Sequence, residues 1–129
     1  MKLEPGLGHG LSAIDVLDRH VFEDLLATLG NDTGRVKTVY GKFVDTAATR
    51  LDEMRHQSVT SIAPTFHALK GSAGMVGANR LAAMAARLQD AAASGLDDET
   101  KATAMGELEA ELAAFCRVLR AQLDSLPTD

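Results

Sequence analysis

Several residue types are scarce in this chain: one cysteine, no tryptophan, one tyrosine and four phenylalanines among 129 residues. A lone thiol, Cys116, excludes an internal disulfide and makes a reducing compartment the natural setting. With aromatics at 4% and hydrophobic residues at 46%, the core must rest on Leu, Ala, Val and Met. That balance favours helix on helix over a sheet sandwich. No apolar run approaches the ~20 residues that cross a bilayer, and the Gly-rich stretch from Met1 to Ser12 lacks the apolar core of a signal peptide. Basic residues are also outnumbered, 13 to 18, for a net charge of −5. The deficit argues against nucleic acid and anionic membrane as partners. A cytoplasmic monomer with a single core is expected.

What is present is helical periodicity. Residues 1–11, with three glycines and Pro5, read as a mobile lead-in, and residues 12–126 as one helical domain; Met1 and the short leader suggest a free-standing protein. Ser12 and Asp15 have the spacing of a capping box. Ile14, Leu17, Val21, Leu25 and Leu29 then recur at helical intervals, with a break expected near Arg19 and His20. Gly30 looks like a stop, followed by the cap-rich Asn31-Asp32-Thr33-Gly34. Val36, Tyr40, Phe43, Ala47, Leu51 and Met54 form the clearest stripe of the chain.

A third helix is expected to start near Thr60, with Pro64 tolerated in its first turn. Its stripe is Ile62, Phe66, Leu69, Ala73 and Val76. Gly77 suits a tight turn, and Asn79 a cap for a fourth helix bearing Leu81, Met84, Ala85, Leu88 and Ala92. Ser94-Gly95 ends it. Asp97-Asp98 opens a fifth, lined by Met105, Leu108, Leu112, Phe115, Leu119 and Leu126. The expected fold is all-α: an up-and-down antiparallel four-helix bundle with a short additional N-terminal helix.

At about 100° per residue, His67 lies far outside the stripe of its helix. Ala63, Lys70, Gly71 and Gly74 fall within roughly 60° of it. The imidazole should therefore stand on the surface among small residues. Interior glycines each cost about 0.5–1 kcal/mol relative to alanine, so two beside an exposed histidine suggest that something bulky approaches the ring. Close packing against a neighbouring helix would be the other use for Gly71 and Gly74. Lys70, one turn on, is either a charge for that visitor or a solvated lysine.

This stretch resembles the phosphoacceptor motif of histidine-containing phosphotransfer (HPt) domains. Their pattern His-x-Leu-Lys-Gly-(Ser/Ala)-x-x-x-(Leu/Val)-Gly-Ala is met at His67, Leu69, Lys70, Gly71, Ser72, Val76, Gly77 and Ala78. Two departures stand out: Phe66 occupies a position that is usually small, and Pro64 lies unusually near the site. The resemblance implies that His67 is the phosphoacceptor and Lys70 supports the phosphate, while Ala63, Gly71 and Gly74 belong to the partner face. It also implies receiver domains of response regulators or hybrid kinases as partners. A ring nitrogen would attack the receiver's acyl phosphate and form a phosphoramidate that can be passed on. Lys70 would offset part of the phosphoryl charge. Mg²⁺ and catalytic carboxylates would be the receiver's, so no cofactor or metal is expected on this chain.

Other readings are weaker. Gly71 to Gly77 lacks the Lys-Ser/Thr of a phosphate-binding loop, and Ala68 replaces the acidic residue expected after the histidine in kinase dimerisation domains. The chain should not phosphorylate itself from ATP. Two alternatives are a chemotaxis-type kinase phosphoacceptor domain, whose histidine helix is similar, and a kinase-binding module that carries no phosphate. Glu53 and His56 have the spacing of a di-iron bundle, but one copy at a helix end makes a poor site. His9 and His20 receive no role, and Cys116, beside Phe115, is expected to be buried and inert.

Overall fold

A computed structural model describes residues 13–127. The expected leader 1–11, with His9, and the expected cap Ser12 lie outside this range. The described chain is five helices, α1 (Arg19–Thr28), α2 (Thr33–His56), α3 (Ala63–Met75), α4 (Asn79–Ser94) and α5 (Asp98–Asp124), with no strand among the described residues. Short connections make sequential helices antiparallel. α3 packs on α2 and α4, and α5 closes the ring by packing on the same two helices. This is the up-and-down four-helix bundle read from periodicity, with α1 as a short addition laid against α2.

Each boundary has a local cause. The carboxylates of Asp18, Asp32 and Asp97 accept backbone N–H bonds at the starts of α1, α2 and α5, satisfying donors that have no partner within the helix. Hydrogen bonds from the Thr100 side chain and then its backbone N–H hold the Asp97 carboxyl below the usual carboxylate range, and Asp18 is lowered likewise, first by its bond from Asn79. Helix α3 starts at Ala63, later than Thr60. Ile62 is its cap residue, without a side-chain bond, and Pro64 sits in the first turn, where its missing N–H costs nothing. Turns at Gly77 (φ 80°) and Gly95 (φ 108°) use the left-handed conformation that glycine adopts without a steric penalty.

The core is centred on aromatics. Tyr40 stacks on Phe22 with ring centroids 5.8 Å apart, and Phe115 touches both Tyr40 and Phe43. Tyr40 also donates its hydroxyl to the Val76 carbonyl at 2.9 Å, at the end of α3. Burial pushes the phenol up to about 12. All six expected stripe residues of α2 and all five of α3 are buried.

Other expectations need correcting. Phe22 is the buried residue of α1, while Val21, Leu25 and Leu29 are only half-buried. Asp15 lies ahead of α1, which is capped instead by Asp18. Asn79 does not cap α4. Its amide donates to the Asp18 carboxylate at 3.0 Å, because the α3–α4 turn is pressed against the approach to α1. Ala92 is half-buried, as is Leu126, which lies past the end of α5. Cys116 is likewise half-buried, a free thiol in the groove between α2 and α5.

Residues 14–18 are tied to that turn at several points. The Asp18 N–H donates to the Gly77 carbonyl at 2.7 Å, the Arg80 N–H to Asp15 at 3.2 Å, and Arg80 Nε to Ile14 at 3.0 Å. A Cβ on Gly77 would lie 3.0 Å from the Val21 Cβ and 3.2 Å from the Asp18 carbonyl. Gly77 is therefore required twice, for its φ and for this contact.

Candidate functional site

Helix α3 turns its two sides to different tasks. Phe66 and Leu69 are completely buried, and their burial rotates the intervening His67 outward, where it is exposed. The position follows from helix geometry: a residue flanked by two core positions, each about 100° or more away, has no room inside. Lys70 and Ala63, one turn to either side of the histidine, are half-buried; Gly71 and Gly74 are exposed. The structure brings His67, Lys70, Ala63, Gly71 and Gly74 onto one continuous face.

A Cβ placed on Gly71 or Gly74 would meet nothing within 4 Å. The two glycines thus perform no packing inside the bundle, and the close-packing use weighed from sequence is excluded. No packing among the described residues requires their small size.

Periodicity gave no sign of Gln89. Its Nε2 lies 3.2 Å from His67 Nδ1, brought there because α3 and α4 form the most extensive helix pair of the bundle. As placed, the amide donates to Nδ1. Rotating it by 180° puts Oε1 in the same position, where it accepts an Nδ1–H proton. Either way Nδ1 is engaged and the ring orientation is held. The only signal available in the sequence was a polar residue on an otherwise alanine-rich side of α4.

Ser72, matched to the motif, has an internal role. Its Oγ accepts from Arg50 Nη1 at 3.3 Å and donates to the Leu69 carbonyl, fastening α3 to α2. No carboxylate among the described residues pairs with Lys70. Helix α3 contains no acidic residue at all, although the chain is acidic as a whole. Helix α3 therefore carries the positive charge of Lys70 and no opposing carboxylate of its own.

The site is convex. Grooves lined by Lys37, Tyr40, Val44, Cys116 and Arg120, or by Leu51, Arg55 and Leu112, run between α2 and α5, away from His67. Glu53 and His56 are exposed at the end of α2, and no group of three or more metal-ligating side chains occurs among the described residues. An exposed histidine is open to a group that another molecule presents to it.

A family model described as the Hpt domain matches residues 38–126, more than half of the chain and inclusive of the whole histidine face. No curated protein and no solved structure matches it. No described helix is long and apolar enough to cross a membrane. The family's general role is histidine phosphotransfer in two-component signalling, and this chain belongs to the Hpt domain family.

Proposed function

We propose that His67 accepts a phosphoryl group from the aspartate of a receiver domain and passes it to another receiver. The observation that carries this reading is the exposed, oriented imidazole beside two glycines that serve no packing purpose inside the protein. With the Gln89 amide rotated so that Nδ1–H donates to Oε1, Nε2 keeps its lone pair and is the nucleophile. Its lone pair attacks phosphorus, the P–Nε2 bond forms, and the bond from phosphorus to the aspartyl oxygen breaks, returning a carboxylate. The ring proton stays on Nδ1, where Oε1 of the rotated Gln89 amide accepts it and stabilises the imidazolium that develops.

Lys70 is proposed to stabilise the phosphoryl charge from one turn away, and the acid-free surface of α3 avoids repelling it. The protein works as a carrier without kinase activity of its own, in keeping with the phosphocarrier role of its family. A monomer suffices, since His67, Gln89 and Lys70 come from α3 and α4 of a single chain. A cytoplasmic setting suits its one free thiol.

The test is phosphotransfer from a panel of phosphorylated receivers to wild type and to His67→Gln, followed by intact mass and acid lability. The expected result is an acid-labile phosphoryl group on wild type and none on the variant. Labelling only by an ATP-bound kinase domain, with every receiver silent, would replace this reading with the kinase-fed one.

A further inference from the structure

Met75 is 81% exposed, and the other exposed large apolar side chain among the described residues, Val118, reaches only 40%. Met75 closes α3, and its neighbour Val76 is buried. No contact among the described residues explains a thioether in water at this point. Exposed single apolar residues are ordinary, so position decides the matter here.

Ala63, His67, Gly71 and Met75 are spaced by four residues and form one ridge of the helix surface. Along this ridge the imidazole and the thioether stand about 12 Å apart, at 1.5 Å per residue. Gly71 between them is bare backbone, with open space where a Cβ would be. The ridge therefore has a notch, walled by His67 on one side and Met75 on the other. Notched ridges accept the ridge of a second helix, which is how helices pack.

We propose that Met75 is the apolar anchor of partner docking: a receiver helix lays an apolar side chain over Gly71 and packs against the Met75 thioether. The inference rests on the phosphotransfer reading and extends it to partner selection. Any donor that reaches His67 must cover its surroundings. A standard interface takes about 800 Å² from each partner, a disc of roughly 16 Å radius, and Met75 falls inside it. Methionine suits the role, being flexible and polarizable enough to pack against several related surfaces. Receivers that use this protein should carry an apolar helical patch about 12 Å from their phospho-aspartate; those with a charged patch there should be poor donors.

The experiment measures transfer from a receiver that labels wild type, across a range of receiver concentrations, to Met75→Asp, Met75→Leu and Val118→Asp. Phosphoramidate, a donor too small to need docking, is run in parallel. The expected result is a loss of about tenfold or more in kcat/KM for Met75→Asp, carried mainly by KM, where tenfold corresponds to ~1.4 kcal/mol. Met75→Leu and Val118→Asp should behave as wild type, and phosphoramidate should label all four proteins alike. Unchanged transfer to Met75→Asp would overturn the anchor and leave the carrier role intact. So would an equal loss with phosphoramidate, which would mean damage to the site itself. A concentration-dependent dimer abolished by Met75→Asp, with transfer unchanged, would assign the patch to a second copy of this chain. If no receiver labels wild type, the phosphotransfer reading fails and the anchor fails with it.

Discussion

Replacing both Gly71 and Gly74 with alanine should make this protein more stable and worse at its task. Each glycine sits inside α3 in ordinary helical geometry, and an added Cβ would touch nothing within 4 Å. No clash offsets the gain in helix propensity, about 0.5–1 kcal/mol per site. The pair should gain about 1–2 kcal/mol, raising Tm by roughly 3–10 °C for a domain of this size. Methyl groups thrust into a docked surface act in the opposite sense. Overpacking costs about 1–3 kcal/mol, which is a loss of roughly 5- to 150-fold in kcat/KM for transfer from a receiver. Phosphoramidate, needing no docking, should label the variant normally. Gly41 and Gly106 provide the control, being exposed mid-helix positions on α2 and α5 with equally open space. Alanine there should raise Tm without touching transfer. Thermal unfolding by circular dichroism and a transfer time course decide the matter. A fall in Tm would show that the glycines serve the fold after all. A rise in Tm with undiminished transfer would show that nothing docks over them.

Gln89→Ala should slow transfer by about 2- to 12-fold, the equivalent of one lost hydrogen bond at ~0.5–1.5 kcal/mol, with Tm little changed. Imidazole ¹⁵N shifts would show His67 released from a single tautomer. Tyr40→Phe leaves the buried Val76 carbonyl without its donor and should cost about 1–3 kcal/mol in urea unfolding. Because the folded Tyr40 phenol is raised from 10.0 to about 12, the native state holds that proton longer than the unfolded chain. Wild type should therefore lose stability as pH rises between those values, and Tyr40→Phe should lack that loss. Glu111 is buried, with Arg80 3.9 Å away and Oε2 unpartnered. Burial raises its carboxyl above 4.5, against the opposing pull of Arg80 and Arg117. Stability should fall as pH rises from 4.5 through the folded value, and Glu111→Gln should flatten that slope in a Tm-against-pH series.

The stripe from Val36 to Met54 was legible because each of its residues answers to a single requirement, burial on one face of a long helix. The outward turn of His67 was legible for the same reason, read in reverse. What escaped depended on contacts between distant segments. Phe22 is buried because Tyr40 offers it a ring to stack on, and α1 alone shows no stripe that singles it out. Asn79 resembles a cap by type, yet Asp18 draws its amide away. Gln89 reaches His67 across 22 positions, a pairing that no periodicity encodes. Ser72 entered only as a position of the motif, and its bond with Arg50, 22 residues away, gives it a fastening role. Local rules thus placed the exposed histidine, while the amide that orients it came from the packing of one helix on the next.

The ties between residues 14–18 and the α3–α4 turn bear on how this module can be moved. The family match begins at residue 38, and a fusion protein cut to that boundary would lose α1 altogether. Tyr40 would then have one ring face bare, Gly77 would keep its φ but lose the wall it packs against, and Arg80 would surrender both backbone acceptors. Such a graft would still display the histidine helix, but with a sticky apolar flank that invites aggregation. A portable version has to begin no later than Ile14, so that the clasp travels with the part it closes.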